Sequence, residues 1–282
     1  MKYTYASLGV MESMGFRIGG PGLGNILFPW AKSLIYSKKY KSKRIQTTWK
    51  CLKIGPFLRR EKDNRLYWNL FIEEDGVSGF KKFILLNFSR NIRVFNSMNG
   101  LFSDFLEEHQ FVKDELLSIV QPKHLFNIRN HNENGIGVHV RLGDFTEDKD
   151  EASLRSGEWN HRIPIKWYIQ TINKVRHYYQ LPVYVFSDGS DDELKELLSL
   201  KNCKRVHYGS SISDMIALSR NKLIISSSST FSMWASFLGQ RPTIWFPNQH
   251  RQKIILDNTI YEGEIDYQDP VPSLLIKSIS DA

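Results

Sequence analysis

The chain is 282 residues long, with 41% hydrophobic, 24% charged and 13% aromatic residues, enough apolar material for one large core or two ordinary ones. Disorder, collagen and low-complexity fibre are excluded, and a formal net charge of +8 favours anionic partners: nucleic acid, acidic lipid headgroups or a phosphorylated small molecule. No run approaches the roughly 18 apolar residues that cross a bilayer. Met1 to Gly20 lacks the apolar core of a signal peptide. Cys51 and Cys203 stand far apart with no CxxC, which argues against a disulfide scaffold or a zinc finger and fits a reducing compartment. The expectation is a soluble, cytoplasmic protein.

In chain order, a glycine-rich segment, Gly19-Gly20-Pro21-Gly22-Leu23-Gly24-Asn25, comes first. Its spacing fails the dinucleotide GxGxxG, but glycines let a backbone approach a ligand. Leu27, Trp30, Ala31, Leu34 and Ile35 then recur at helical spacing, with Pro29 expected in the first turn, where it is tolerated. Basic runs follow, Lys38 to Arg44 and Leu58 to Lys62, which read as a solvated face or as a patch meeting an anionic surface. No RNA-recognition consensus, zinc finger or helix-turn-helix accompanies them, so nucleic-acid binding is not expected. Ile45 to Trp49, Tyr67 to Ile72 and Phe83 to Leu86 are strand candidates, and Leu106 to Val120 reads as a helix stopped by Pro122. The polar stretch Asn127 to Asn134 is the expected linker, placing a domain boundary between residues 130 and 131.

Beyond it, two periodicities alternate. Ile136, Val138 and Val140 alternate as a strand; Tyr168, Ile172 and Val175 recur as a helix; Val183 to Phe186 is an apolar strand. A helix from Asp191 to Leu200, a strand from Arg205 to Tyr208 and a helix from Ser213 to Ser219 follow. Then come the apolar run Leu223 to Ile225, a helix from Thr230 to Leu238, and a strand from Thr243 to Phe246. Five short strands separated by helices predict an α/β fold with a doubly wound parallel sheet.

Such sheets bind ligands at the C-terminal ends of their strands. Arg141 falls at one such end, where a planar guanidinium suits a pyrophosphate or simply pairs with Asp144. His139 alternates with Val138 and Val140 and reads from its position as a satisfied core histidine. Ser226 to Thr230, between a strand and a helix, offers five hydroxyls where capping explains one, and a helix start attracts phosphate. Asp188 ends another strand and is a candidate to face the crevice, while Asp191 or Asp192 caps the next helix. Asp148-Lys149-Asp150 has the form of a metal-binding DxD but sits in a charged run that favours a solvated loop. No HExxH, GxSxG or Walker A sequence is present.

Taken in order, these clusters resemble the bacterial alpha-1,2-fucosyltransferases of glycosyltransferase family 11. Gly22 to Phe28 is similar to that family's GGLGNQ-F segment, and His139 to Asp144 to its H-x-R-R-x-D motif. Phe186 to Gly189 echoes F-S-D-D. Asp214 to Ser219 and Ile224 to Trp234 are similar to D-L-x-x-M-S and I-I-A-N-S-T-F-S-W-W. The departures are Leu142 for the second arginine, Gly189 for the second aspartate, Ile26 for glutamine, Ser228 for asparagine and Met233 for tryptophan, with a charged insert from Glu147 to Arg162. The resemblance implies a GT-B-like architecture of two Rossmann-like halves facing a cleft, residues 1–130 on the acceptor side and 131–282 holding GDP-fucose.

It further implies an inverting, metal-independent enzyme without a cofactor, moving L-fucose to the 2-OH of a galactoside in surface polysaccharide or O-antigen synthesis. A different linkage, another GDP-sugar or an inactive nucleotide- or glycan-binding module are the alternatives; a metal-dependent sugar transferase using Asp148 and Asp150 is a rival. The implied donor-binding set is Gly22, Gly24, Asn25, His139, Arg141, Asp188, Asp214, Ser228, Ser229, Thr230 and Phe231, with Arg141 on the beta-phosphate and Asp214 on guanine. Asp144 is the first candidate for general base, ahead of Glu147, Asp148 and Asp188, and serves equally well to orient Arg141. The implied partners are GDP-fucose and a glycan acceptor, with a lipid-linked acceptor and contact with the inner membrane face as extensions.

Overall fold

A computed structural model describes residues 2–18, 20–52, 69–72, 75–148 and 150–281. The chain forms two compact units, Met1–Phe126 and Asn127–Ala282. The sequence expectation put this boundary at 130/131. Asn127 to Asn134 is less of a linker than its polarity suggests, because Ile128 and His131 are buried. The basic run Leu58 to Lys62 lies outside the described residues.

In the first unit, β1 (Tyr3–Ala6) is the centre of a parallel three-stranded sheet, flanked by β3 (Lys43–Arg44) and β5 (Ile92–Phe95). A second parallel pair joins β2 (Arg17–Ile18) and β4 (Cys51–Leu52). Helix α1 (Leu23–Tyr40) buries Leu27, Trp30, Ala31 and Leu34, as the spacing predicts, leaves Ile35 half-buried, and ends with Lys38 and Lys39 against its negative pole. The helix begins four residues before the first periodic leucine, so Pro29 lies beyond the first turn and leaves one rung of the ladder without a donor.

Helix α2 (Gly79–Phe88) overturns one expectation. Phe83 to Leu86, read as a strand, is helical; a short apolar run fits either state, and its length is decided by the flanking residues that join it. Ile45 to Trp49 is likewise not a strand: only Ile45 pairs, through a bridge to Val77. Of Tyr67 to Ile72, the first two residues lie outside the described ones, and Phe71 bridges Val120. The expected helix from Leu106 becomes a 3-10 turn, Leu106–Glu108, followed by α3 (His109–Ile119), and Pro122 opens α4 (Pro122–Asn127).

The second unit is a doubly wound α/β layer structure. Among the described residues its sheet has six strands, all parallel, in the order β11-β10-β9-β6-β7-β8. They are β6 (Ile136–Val140), β7 (Val183–Ser187), β8 (Cys203–Arg205), β9 (Leu223–Ile225), β10 (Thr243–Trp245) and β11 (Glu262–Glu264). The connecting helices are α5 (Ala152–Arg155), α6 (Ile165–Arg176), α7 (Lys195–Leu198), α8 (Ser211–Ser219), α9 (Thr230–Gly239) and α10 (Ser273–Asp281). The sixth strand, Glu-Gly-Glu, exceeds the five expected, the strand expected over Arg205 to Tyr208 lies earlier at Cys203–Arg205, and the helix expected over Asp191 to Leu200 shortens to α7 behind a turn. Helices on both faces bury β6 at all five positions, and each such Val or Ile contributes roughly 1.5–3 kcal/mol.

Candidate functional site

The second half of this sheet is added on the opposite side of the first strand: β7 and β8 extend one way from β6, β9 to β11 the other. β6 and β9 are neighbours, Ile136 opposite Leu223 and Val138 opposite Ile225. Two consecutive crossovers that diverge leave a crevice at the carboxyl ends of the strands between them. Arg141 leaves β6 at that point, and Ser226 to Ser229 leave β9 there before α9 begins.

Arg141 is clamped. Its Nη1 lies 2.6 Å from Asp188 Oδ2, and its Nη2 donates to Asp144 Oδ1 at 2.5 Å. The guanidinium also sits 5.5 Å from the centre of the Phe145 ring. Asp188, just beyond β7, accepts the Leu142 N–H at 2.9 Å through its other oxygen, so one carboxylate ties two strand-end loops together. That tie explains Gly143, since a Cβ there would run into Asp188 Oδ2. Sequence spacing anticipated the pairing with Asp144 but not the one with Asp188.

His139 is buried, and its Nδ1 is 2.7 Å from the hydroxyl of Ser227. The Ser227 hydroxyl also lies 3.0 Å from that of Ser229, which is 3.3 Å from the same ring nitrogen. The ring stacks on Phe231, centroids 4.7 Å apart. Burial, with the Arg141 charge behind it, holds the imidazole neutral and pushes its pKa down against the opposing pull of Asp188. The core-histidine reading therefore describes its local role, although it sits beside the crevice.

The serine run is resolved in the same way. Ser226 to Ser229 are all buried: Ser226 donates to the Ser227 carbonyl at 2.7 Å and Ser228 to the His161 carbonyl at 3.4 Å. Ser229 caps α9, accepting the Ser232 N–H at 3.5 Å. Capping does explain one hydroxyl; Ser227 joins Ser229 against His139, and Ser226 and Ser228 turn to backbone carbonyls. Thr230 and Phe231 form the first turn of α9, whose positive pole opens at the end of β9.

Asp214 lies in the first turn of α8, which follows β8. Its Oδ1 accepts the Tyr208 N–H at 2.7 Å and its Oδ2 lies 2.7 Å from His207 Nδ1. Gly22 caps α1, and Gly24 and Asn25 occupy its first turn, in the first unit. The structure thus brings His139, Arg141, Asp144, Asp188, Ser228, Ser229 and Phe231 together within the second unit.

The Asp148–Asp150 segment serves a helix start. Asp148 Oδ2 accepts the Leu154 N–H at 2.9 Å, which lowers its pKa, and Asp150 Oδ1 accepts the Ala152 N–H at 3.3 Å. Lys149 lies outside the described residues, and Glu147 is exposed. Among the described residues no group of three His, Cys, Asp or Glu side chains is arranged to hold a metal ion.

Sequence reasoning missed Arg162. Its Nε donates to the Phe145 carbonyl at 2.9 Å and its Nη1 to Glu193 Oε1 at 3.1 Å, bringing a second guanidinium to the loop that follows Arg141. Thr146 pairs with His161 in parallel, so the charged insert folds back onto the strand end from which it departs. The only sequence signal was an arginine shortly before Pro164.

A family model for glycosyl transferase family 11 matches residues 35–262. The chain belongs to that family. The family match includes the segments around Arg141, Asp188, Asp214 and Ser229 and begins after the Gly22 to Phe28 segment. Sequence comparison with curated proteins gives no match. Among solved structures, the alpha-1,6-fucosyltransferase NodZ soaked with GDP-fucose is 14% identical, covers 87% of this chain and 94% of its own, and has a TM-score of 0.45. The NodZ fucosyltransferase from Bradyrhizobium is 15% identical at a TM-score of 0.47, again over 87% and 94%. POFUT1 in complex with GDP is 12% identical at 0.45, over 86% and 97%.

Within this family-11 chain, two departures from the family pattern touch each other. Leu142 is buried, and a Cβ on Gly189 would collide with its Cδ1. An apolar side chain packed over a bare backbone stands where the resemblance places an arginine and an aspartate. The departures are one packing unit rather than two separate losses.

Proposed function

We propose that this chain is an inverting, metal-independent fucosyltransferase that moves L-fucose from GDP-fucose to a hydroxyl of a glycan acceptor, the 2-OH of a galactoside. Membership of family 11 supports glycosyl transfer, and the motif resemblance supports the fucosyl donor. The single observation that carries the site assignment is Arg141 at the carboxyl end of β6, beside the positive pole of α9, where the strand order reverses.

Chemically, the acceptor hydroxyl oxygen bonds the anomeric carbon as that carbon's bond to the diphosphate oxygen breaks, leaving negative charge on GDP and releasing the hydroxyl proton to a carboxylate or to solvent. Fixed cationic donors balance that charge without having to reorganise. Arg141 is the first of these, held in place by Asp188. Asp214, in the first turn of α8, is the residue that the resemblance assigns to the base. Asp144 either takes the acceptor proton or holds Arg141 in register; a carboxylate already 2.5 Å from a guanidinium favours the second role. A lipid-linked acceptor and surface polysaccharide synthesis are compatible extensions.

A second reading, an inactive nucleotide- or glycan-binding module, is favoured by one observation: Arg141 is already paired with two carboxylates. Incubation with GDP-fucose and a galactose-terminated acceptor, in EDTA, separates the two. The proposal expects GDP release coupled to a product substituted at the 2-OH. GDP binding without turnover would select the module, and turnover abolished by EDTA would select a metal-dependent route.

A further inference from the structure

Among the described residues of the first unit, one helix presents an exposed apolar stripe. Helix α2 turns Leu85 and Leu86 toward Tyr3, Tyr5 and Ile45, and its Lys82 Nζ inward to the Gln46 carbonyl and the Thr48 hydroxyl, both at 2.6 Å. The opposite face carries Phe80 and Phe88, each 76% exposed, with Ile84 at 42% and Phe83 at 37%. Positions 80, 84 and 88 follow each other up one side of the helix, and Phe80 and Phe83 stack at 6.2 Å. Three phenylalanines and an isoleucine on one face exceed the scattered apolar residues of an ordinary surface.

The charge around the stripe is mainly basic, although Glu73-Glu74-Asp75 precedes the helix in sequence and Asp75 is exposed. From Gly76 to Ser103 there is no Asp or Glu, whereas Lys81, Arg90 and Arg93 are all exposed there. Arg90 and Arg93 lie where α2 runs into β5, an edge strand whose Val94 is 47% exposed. Tyr3 pairs with both Ile92 and Lys43, so exposed Lys2, Lys41 and Lys43 crowd the same N-terminal edge of that sheet. An aromatic stripe bordered mainly by cations matches a layer of phosphates over hydrocarbon.

We propose that α2 docks face-down on an anionic lipid bilayer, with Phe80, Phe83, Ile84 and Phe88 entering the headgroup boundary and Lys81, Arg90 and Arg93 meeting lipid phosphates. This docking needs no nucleotide, so it stands or falls apart from the fucosyl-transfer reading.

The test is sedimentation of the full chain with phosphatidylcholine vesicles, with and without phosphatidylglycerol, across a salt series and without substrate. The expected result is binding that requires phosphatidylglycerol and falls with salt. Phe80→Ser/Phe88→Ser should weaken it roughly tenfold or more, and Lys81→Gln/Arg90→Gln/Arg93→Gln should remove the preference for the anionic lipid. The charge variant keeps the apolar stripe, so it tests the docking even if the phenylalanine variant fails to fold. Equal binding to both vesicle types, no binding to either, or binding unchanged in the folded variants would overturn the proposal. So would a wild-type dimer that Phe80→Ser/Phe88→Ser converts to monomer, which would assign the stripe to a second copy.

Discussion

β6 of the second unit, Ile-Gly-Val-His-Val, is buried at every position, whereas β5 of the first, Ile-Arg-Val-Phe, is half-buried or exposed at every position. Both are parallel strands followed by polar loops, but β6 sits at the middle of six strands and β5 at the edge of three. The difference teaches where each unit can do its work. A strand fixed on both faces delivers Arg141 with its orientation already set, and a ligand there meets preorganised charge. A strand and helix at an open edge present side chains outward, which suits a broad surface and not a small molecule.

Breaking the rigid side should have the largest effect. Arg141→Ala should lower turnover about a hundredfold or more, since charge-assisted hydrogen bonds contribute on the order of 1.5–3 kcal/mol each. Arg141→Lys should also be damaging, because an ammonium lacks the two-pronged geometry. Measuring kcat and KM beside GDP affinity separates chemistry from binding, and near-normal values in either variant would refute the assignment.

The Leu142–Gly189 contact gives the next largest effect. Gly189→Ala forces a Cβ into Leu142 and should cost about 1–3 kcal/mol in denaturant unfolding. Combined with Leu142→Ala, the losses should fall short of additive by about 0.5 kcal/mol or more. Strict additivity would mean that the two positions do not share space.

A smaller effect is expected from pH. His139 is buried neutral, with its pKa well below the ordinary 6.5, so the unfolded chain binds a proton that the folded one refuses. The His139 contribution to stability should be constant above pH 6.5 and fall as pH drops below it, by at most about 1.4 kcal/mol per unit. His139→Gln should reduce that slope between pH 6.5 and the carboxylate range, and an unchanged slope would remove His139 as its source.

On the open side the smallest effect is expected. Phe80→Ser should change unfolding stability by no more than about 0.5 kcal/mol, because the side chain is 76% exposed. A larger loss would show that the stripe is packed in solution.

The same contrast governs what the sequence made legible. β6, β7, β9 and β10 are short apolar runs bounded by polar turns, so their class and parallel arrangement could be read directly, and Arg141 stood out as the residue where a strand ends. β11 could not be read, because its Glu-Gly-Glu has no apolar signal and takes strand form only by pairing with β10. Phe83 to Leu86 misled because an apolar run four residues long carries no period of its own. At the site, the local pairing of Arg141 with Asp144 was visible in the spacing. Asp188 and Arg162 reach the same loop through tertiary folding, which no local pattern encodes.

The most direct measurement is the thermal shift produced by GDP in EDTA, taken for the wild-type chain and for Arg141→Ala. GDP should raise the wild-type melting temperature more than UDP or CDP does, and should leave that of Arg141→Ala nearly unmoved. Equal stabilisation of both proteins by GDP, or none of the wild type, would contradict a diphosphate held by the guanidinium at the end of β6.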